Sequence, residues 1–528
     1  MHNTHPTLGL SRRSVLGLSL GGTAALLMGC GAQTSSSSPT GSKIVKGGTL
    51  TFAEQQPPSS LNPGILDHNY TDFSQLAYDP LLLLDSDGSV KPRLATSYKF
   101  VGKGNTRLDL TLRSGVTFCD GDALDAAAVK ASLEYVRDGK GAHAALLEGM
   151  TFAAVDKLTV SIRSSTPNPA LPTLLTQKYP IGQVISPTGL ANPQALSITG
   201  QSHGAGPYVY NGDDSVAGDH YTYEANPSYY DTSQQYYDKV VIRIIADSQA
   251  ALNAAKTGQV ALFKGNGSMA AQAKSAGLQI VANPAIMTGV FLIDRGGEVC
   301  KPLGDVRVRQ AINYALDRDS VTSAVFGSYG VETDETIAKG GDGYSAGYAD
   351  YYSYDVDKAK QLLGEAGYPD GFELKLLAAS FAGFDQVADA VKGQLAKIGI
   401  NCTVDVKSDL GTYTDDATNK TYPAWVGGYD GNTMYQQGLD LFMPGSQAFN
   451  GFGSRSKKLE TLWHRAAAAD ETARAKLDQQ MQEYLVKNAW FAPIAFAPVI
   501  YFAADDLGGV ATSVGAPYAS PLMFHQTA

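Results

Sequence analysis

The sequence predicts an α/β protein with two lobes, each containing its own sheet and helices. At 528 residues the chain is too long for one hydrophobic core. Two segments alternate strand, helix and strand patterns, one at 240–263 and one at 372–406, and an amphipathic helix is predicted between them at 306–316. Short strand–helix–strand connections favour parallel strands joined by right-handed crossovers. We therefore expect one α/β core before that helix and one after it.

The spacing of apolar residues defines both units. In the upstream unit a strand, a helix and a strand are predicted at Val240–Ile245, Ser248–Lys256 and Gln259–Phe263. In the downstream unit the strands are marked by alternating apolar residues, Phe372, Leu374 and Leu376 and then Ile400, Cys402, Val404 and Val406. The helix between these strands has one apolar face, Val387, Val391, Leu395 and Ile398.

The helix between the two units begins with a capping residue, because Asp305 can accept from the free backbone N–H groups of the first turn. Its apolar stripe has helical spacing and consists of Val308, Ala311, Ile312, Ala315 and Leu316. The polar residues predicted to lie away from that stripe are Arg307, Gln310, Asn313 and Asp317. We interpret the helix as scaffold that packs on a core.

Composition indicates an ordered globular protein, with 44% hydrophobic and 17% charged residues. The net charge is −10, and no basic patch stands out. Nucleic acid and anionic lipid headgroups are therefore not expected as direct ligands. The chain also contains 28 tyrosines, which suit packing or a cleft for polar ligands.

The first residues predict export and lipid anchoring. A twin arginine, Arg12-Arg13, precedes a short apolar run that ends in Leu27-Met28-Gly29-Cys30, which resembles a lipobox. We expect a signal peptide at 1–29, lipidation of Cys30, and a flexible Ser-rich tether at 30–46. The protein would then lie on the outer face of the cytoplasmic membrane. A plain secretory signal with an incidental cysteine is the alternative.

Five ordered motifs resemble family 5 of the bacterial extracellular solute-binding proteins, the oligopeptide-, dipeptide- and nickel-binding group. The motifs are Leu112–Gly121, Gly204–Tyr208, Asn226–Tyr230, Gly304–Ile312 and Tyr354–Tyr368. The second and third are similar to the Gly-Thr-Gly-Pro-Tyr and Asn-Pro-x-Tyr-Trp of that family, and the fourth to its Asp-Val-Arg-Val-Arg-Gln-Ala. The resemblance extends over about 47–500.

This resemblance implies a two-lobed, periplasmic-binding-protein-like α/β fold (type II, cluster C-like) with an extra subdomain in the first lobe. The implied parts are lobe I at 47–80, 201–295 and 497–528, its inserted subdomain at 81–200, and lobe II at 296–496. The hinge is expected at Asp294–Lys301, with the return crossing near Trp490. The apolar stretch Ala489–Ala504 contains two prolines and is predicted to be a buried return path rather than a membrane helix.

The resemblance also implies where a ligand binds, between two lobes that close on it. Asp430 best matches the family carboxylate that pairs with a peptide amino terminus, although the Asp-Pro that usually follows is missing, and a solvated turn acid is the alternative reading. The other predicted ligand-binding residues are Tyr429, Trp425, Asn432 and Phe381 in lobe II, and His68, Asn69 and Tyr70 in lobe I.

A receptor that delivers a peptide or peptide-like solute to an ABC permease is the implied function, with no cofactor and a monomer expected. An oligosaccharide or a metal chelate is the alternative ligand, and a signalling receptor is a further alternative to transport. Asp430→Ala would separate these ligands, since only a free amino terminus needs the carboxylate.

Three other patterns carry little chemistry. Gly343-Tyr344-Ser345-Ala346-Gly347 matches a nucleophile elbow without the flanking strand and helix that an exported serine hydrolase would need. The histidines are scattered, so spacing predicts no metal site. Of the cysteines left after Cys30, Cys300 and Cys402 are a possible disulfide pair, and no CxxC motif occurs.

Overall fold

The computed structural model describes residues 43–141, 143–196, 202–431, 433–444 and 449–528. Lys43–Ala528 forms one compact unit. The predicted signal peptide, the lipidation site Cys30 and the predicted site residue Asn432 lie outside the described residues. The predicted tether ends in structure rather than in a linker, because Ile44 and Val45 pair with Thr527 and Gln526.

The strands of the described residues form five sheets. In chain order they are β1 (Ile44–Val45), β2 (Thr49–Glu54), β3 (Leu82–Leu84), β4 (Val90–Pro92), β5 (Ala95–Phe100), β6 (Arg107–Leu112), β7 (Met150–Ala154), β8 (Thr159–Ser164), β9 (Tyr208–Val216), β10 (His220–Ala225), β11 (Lys239–Ile244), β12 (Leu262–Gly265), β13 (Gln279–Leu292), β14 (Val331–Glu332), β15 (Phe372–Ala379), β16 (Ile400–Lys407), β17 (Ala424–Tyr429), β18 (Ala492–Ala503), β19 (Leu507–Gly508) and β20 (His525–Thr527).

The helices are α1 (Thr71–Ser74), α2 (Ala126–Asp138), α3 (Leu171–Leu174), α4 (Pro187–Ala191), α5 (Ser248–Lys256), α6 (Ala270–Ser275), α7 (Val306–Tyr314), α8 (Arg318–Phe326), α9 (Val356–Glu365), α10 (Phe384–Ala396), α11 (Leu410–Thr418), α12 (Met434–Gln437), α13 (Lys457–Ala468) and α14 (Glu471–Lys487). Short 3₁₀ turns join several of them, and a π-helical turn at Gly438–Phe442 follows α12.

Two hydrophobic cores build the part that we call lobe I. The first lies on the sheet β2-β11-β10-β9 and includes Phe52, Tyr221 and Ile242. The second packs β12 against α5 and α6. A separate core, which we call the subdomain, runs from Leu81 to Val184 with Ala205 and contains the sheet β5-β6-β8-β7 and α2. Ile185 and Leu196, which the sequence places in the subdomain, are buried in the lobe I core, while α4 between them also contacts α2 of the subdomain.

The remaining core, which we call lobe II, extends from Met287 to Phe496. Strands β15 and β16 are parallel neighbours joined by α10, as the sequence predicts. Asp305 caps α7 by accepting from Arg307 N, and the predicted stripe of α7 is buried. One expectation for this helix is wrong: Asn313 is 1% exposed because its amide donates to the carbonyl of Phe491 at 3.2 Å.

The upstream unit differs from its expected form. Its strands β11 and β12 and helix α5 are present, but β11 pairs in parallel with β2, whereas β12 pairs antiparallel with β18. A single hydrogen bond, from Ala261 N to Thr51 O at 2.6 Å, connects the segment before β12 to β2. The two strands therefore belong to different sheets, which local periodicity could not indicate.

Two long antiparallel strands, β13 and β18, connect the lobes. Ile280, Ala282 and Val499 pack in lobe I, whereas Met287 and Phe496 pack in lobe II. The ladder shifts register between Pro284 and Ile286. The chain thus crosses between lobes within these strands, and the buried return path predicted at 489–504 is β18.

The segment Asp294–Lys301, where the hinge is expected, is hydrogen-bonded within lobe II. The buried Asp294 carboxylate accepts from the N–H groups of Val299 and Cys300 at 2.8 and 2.7 Å. The Arg295 guanidinium donates to the carbonyls of Leu292 and Trp490 at 2.7 and 3.1 Å. The Asp294 bonds close the segment on itself, and the Arg295 bonds attach its beginning to lobe II.

The expected pair Cys300–Cys402 is also not formed. Cys119, Cys300 and Cys402 are free thiols. Cys300 and Cys402 are both buried in the lobe II core, where each thiol behaves as a small apolar side chain. Burial raises the pKa of Cys300 to about 11 and that of Cys402 to about 12.

Within the described residues, no helix combines the length and apolar character needed to cross a bilayer.

Candidate functional site

A cavity of about 190 Å³ lies where lobe I, the subdomain and lobe II meet. Side chains from all three parts line it, namely His68, Asn69, Asp72, Gln75 and Lys264 of lobe I, Gln177 and Lys178 of the subdomain, Asp430 of lobe II, and the C-terminal segment Ala516–Ser520. A second cavity shares Lys178 with the first, and a third cavity shares Leu174 and Gln436 with the second. Together the three form a groove between the subdomain and lobe II. We call this groove the cleft.

Local sequence chemistry presents the polar groups of the cleft. Asp67 caps the 3₁₀ turn His68–Tyr70 by accepting from Asn69 N, which directs that turn into the wall of the cavity. Asp430 directly follows β17, whose Tyr429 pairs with Met287 of the crossing strand β13. Both positions are ends of elements that a rigid framework holds in place.

Lys178 places a positive charge among carboxylates. Burial opposes its ammonium form, but the neighbouring Asp430 and Asp440 favour it, and the pKa of Lys178 lies above its ordinary value. Asp440 accepts from the hydroxyl of Tyr429 at 2.5 Å and from the amide of Gln436 at 2.8 Å. Burial raises the pKa of Asp440, and Asp430 raises it further.

A second charged group lies in the same cavity. The Lys264 ammonium is 3.0 Å from the Glu54 carboxylate and 3.7 Å from that of Asp72. Burial raises the pKa of Asp72 to about 7, with Lys264 opposing the shift and Glu54 adding to it. The cleft therefore presents acids and ammonium groups together in a confined space.

The structure places the predicted site residues unevenly. His68, Asn69 and Asp430 line the cavity, as does Tyr518. Tyr429 supports Asp440. The hydroxyl of Tyr70 donates to Gln56 at 3.1 Å and lies outside the lining.

Two predicted aromatic site residues belong to the core. Trp425 is 1% exposed because its indole stacks on Phe291, with ring centroids 3.7 Å apart. Phe381 packs edge-on against Phe384 and Tyr413. The position of an aromatic residue near a binding motif in the sequence thus does not predict that its ring lines the cavity.

Sequence reasoning missed the lysines and Asp440. Lys178 precedes Tyr179 in an irregular segment, and Lys264 lies on a short strand, so neither has a motif around it.

Sequence reasoning also missed a cluster of Asp67, His68 and His143, whose ligating atoms all lie within 4.8 Å of one another. Burial and His68 lower the pKa of His143 to about 4, so its imidazole is neutral at pH 7.

The serine of the elbow-like pattern has a different setting. Ser345 lies in the irregular segment between β14 and α9, where its backbone N–H donates to the Glu335 carboxylate at 3.1 Å. A nucleophile elbow requires a strand directly before the serine and a helix directly after it. The local structure at Ser345 lacks that geometry.

Comparison with known proteins is consistent with this architecture. Residues 89–447 match the family model for the middle region of bacterial extracellular solute-binding proteins, family 5. The glutathione-binding protein GsiB of Salmonella paratyphi A is 32% identical over 344 residues, which cover 62% of this chain. The match spans 63% of that relative's length.

Solved structures are similar over almost the whole chain. AgaA from A. tumefaciens R10, in complex with agropinic acid, is 26% identical with a TM-score of 0.75 and covers 91% of this chain and 99% of its own. DppA from Helicobacter pylori, in complex with the peptide STSA, has a TM-score of 0.75 at 22% identity, covers 92% and 99% of the two chains, and supports the fold alone. The family match extends over more than half of the sequence, and the chain belongs to family 5 of the bacterial extracellular solute-binding proteins.

Proposed function

We propose that this protein is a receptor that captures a peptide or peptide-like solute in the cleft and delivers it to an ABC permease. One observation carries the proposal: a carboxylate, Asp430, and an ammonium group, Lys178, lie together in the cavity. A peptide with free termini has the complementary pair, a positive amino end and a negative carboxyl end. Charged hydrogen bonds of this kind are the stronger ones in proteins.

Similar proteins favour the same class of ligand. The relative GsiB is named for the binding of glutathione, which is a tripeptide. Stacking on Trp425 and Phe381, which an oligosaccharide would use, is disfavoured because both rings pack in the lobe II core. In this proposal the protein binds and releases its solute and catalyses no reaction.

We further propose that lipidation of Cys30 holds the protein on the outer face of the cytoplasmic membrane as a monomer. The Arg12-Arg13 pair, the apolar run and Leu27–Cys30 support this location. Cys30→Ser should release the protein from washed membranes into the medium or periplasm. Retention of the variant on the membrane would contradict the anchor.

Native mass spectrometry of the protein purified without unfolding tests the ligand class. We expect a retained small molecule whose mass and fragments identify a peptide-like solute. Calorimetric titration with reduced glutathione and with a free tripeptide, each against its N-acetylated form, then tests the role of the amino end. Tight binding of a sugar oligomer, with no binding of either peptide, would overturn the proposal.

A further inference from the structure

The cluster missed by sequence analysis joins two parts of the fold. His143 belongs to the subdomain and precedes the 3₁₀ turn Ala144–Leu147, whereas Asp67 and His68 belong to lobe I. The imidazole of His68 lies 3.6 Å from the Asp67 carboxylate, measured between Nδ1 and Oδ1. The two imidazole rings have centroids 5.5 Å apart and meet at 66°. Three side chains that commonly ligate metals thus converge from two segments, one in each part of the fold.

His143 carries a second, independent observation. It is 6% exposed, and its Nε2 has no hydrogen-bond partner among the described residues. A buried polar atom without a partner costs about 1–3 kcal/mol, and such atoms are rare in folded proteins. A ligand on this nitrogen would remove that cost.

We propose that Asp67, His68 and His143 bind a divalent transition-metal ion of the Zn²⁺, Ni²⁺ or Cu²⁺ class. Two imidazoles and one carboxylate suit these ions and not Mg²⁺, which prefers oxygen ligands. Tetrahedral coordination at about 2.0–2.2 Å requires ligand atoms roughly 3.4 Å apart. The largest separation in the cluster is within 4.8 Å, so small side-chain rotations complete the site.

Exposure of the outer ligands makes those rotations and metal entry feasible. The side chains of His68 and Asp67 are 37% and 40% exposed, while His143 forms the buried end of the site. His68 also lines the cavity, so the coordination positions that these three ligands leave open face the cleft. The ion would fasten the subdomain to lobe I beside the ligand. This inference stands independently of which solute the cleft binds.

The chain offers a matched control for the test. Asp219 and His220 are another adjacent Asp-His pair, joined at 2.6 Å on lobe I, with side chains 72% and 29% exposed. The tag-free full chain is stripped with a chelator and titrated with Zn²⁺ alone by calorimetry. We expect one ion per chain above the background, and a dissociation constant at least about tenfold weaker in His68→Gln and Asp67→Asn. His220→Gln should retain the wild-type value, and Mg²⁺ should not compete.

A spectroscopic readout separates ligation from stability. Electron paramagnetic resonance of the Cu²⁺-loaded chain should show hyperfine coupling to two imidazole nitrogens, reduced to one in His68→Gln. Zn²⁺ should raise the melting temperature of the wild type but not of that variant, because an ion that binds only the folded state stabilises it. His143→Gln is a further variant and should also weaken metal binding. Because it replaces a buried side chain and could prevent folding, the conclusion depends on His68→Gln. Wild-type affinity in His68→Gln, or an unchanged spectrum, would overturn the proposal.

Discussion

Individual charges determine what the cleft can hold. Burial opposes the ammonium form of Lys178, but Tyr179, Asp430 and Asp440 outweigh burial, so the pKa of Lys178 lies above its ordinary value. An entering solute with a positive amino end can pair with Asp430, and its negative end can pair with Lys178 in the same cavity. The cavity therefore stays charge-compensated with and without its ligand.

Asp430→Asn tests this pairing. We expect binding of a peptide with a free amino terminus to weaken by about 10–100-fold, because a hydrogen bond to a charged group contributes about 1.5–3 kcal/mol. Binding of the N-acetylated peptide should hardly change. Calorimetric titration measures both, and Asp415→Asn, an exposed acid on α11, is the control. Equal loss for both peptides would assign Asp430 to structure rather than to amino-end recognition.

Asp478 makes stability depend on pH. Its carboxyl lies buried on α14, and burial, followed by Asp342, raises its pKa to about 7 from an ordinary 3.8. The folded state therefore holds this proton more tightly than the unfolded state does, and the free energy of unfolding falls as pH rises from about 4 to 7.

Asp478→Asn removes that titration without changing the shape of the side chain. We expect the variant to equal the wild type near pH 4 and to be more stable by about 1–3 kcal/mol at pH 8. Urea unfolding at the two pH values measures the difference. A difference that is the same at both values would contradict the raised pKa.

At the residue level, the resemblance to family 5 marks His68, Asn69 and Asp430 as ligand-binding positions. All three line the cavity, and their role in binding stays a prediction. Lys178 has no such mark. His68 and His143 lie far apart in the chain, and only the packing of the subdomain on lobe I brings them together, which spacing rules cannot detect.

At the scale of elements, α7 shows that polar residues of a helix can be buried as well as its apolar stripe. Its apolar stripe is buried as predicted, but Arg309 and Asn313 are buried too. The Arg309 guanidinium donates to the carbonyls of Leu303 and Ala489 at 2.7 and 3.1 Å. These bonds satisfy carbonyls at the ends of neighbouring segments, so the helix supports the chain with its polar side as well.

Ile312→Ala tests the apolar side of α7. Ile312 is fully buried in the lobe II core, so the truncation should lower the free energy of unfolding by about 2–5 kcal/mol. Gln310→Ala, on the same helix, removes one hydrogen bond to Lys487 O and should cost at most about 1 kcal/mol. Denaturant unfolding measures both. Similar costs for the two variants would contradict the assigned burial.

Element-level prediction worked best where periodicity and loop length agree. The unit β15-α10-β16 has alternating strands, a one-sided helix and short connections, and its parallel pairing followed from these. The same pattern at β11-α5-β12 does not reveal that β12 joins a different sheet. Sheet membership depends on partners elsewhere in the chain, in this case β18.

At the scale of the whole molecule, the ladder between β13 and β18 connects the lobes and is irregular where it passes from one core to the other. Pro284 and Pro498 are register partners at the crossing between the two cores. Neither has a backbone N–H, so the ladder lacks donors on both strands there. The register shift after Pro284 loosens the pairing further. We expect the lobes to rotate about this point.

Replacing both prolines by valine tests that expectation. Restored N–H groups should extend the ladder, so amides at Ala285 and Val499 should exchange at least about tenfold more slowly than in the wild type. Spin labels on Lys274→Cys of α6 and Lys392→Cys of α10, in lobes I and II, should show a narrower distance distribution. Reduced glutathione should then change that distance less.

Gly296→Ala is the control for the alternative hinge, because a Cβ there meets no described atom within 4 Å. Its segment is already held in lobe II by Asp294 and Arg295, so the substitution should leave the distance distribution unchanged. An altered distribution in Gly296→Ala, with no change in the proline variant, would move the hinge back to Asp294–Lys301. The opposite result would mean that closure depends on two opposed prolines in one continuous sheet rather than on a glycine loop.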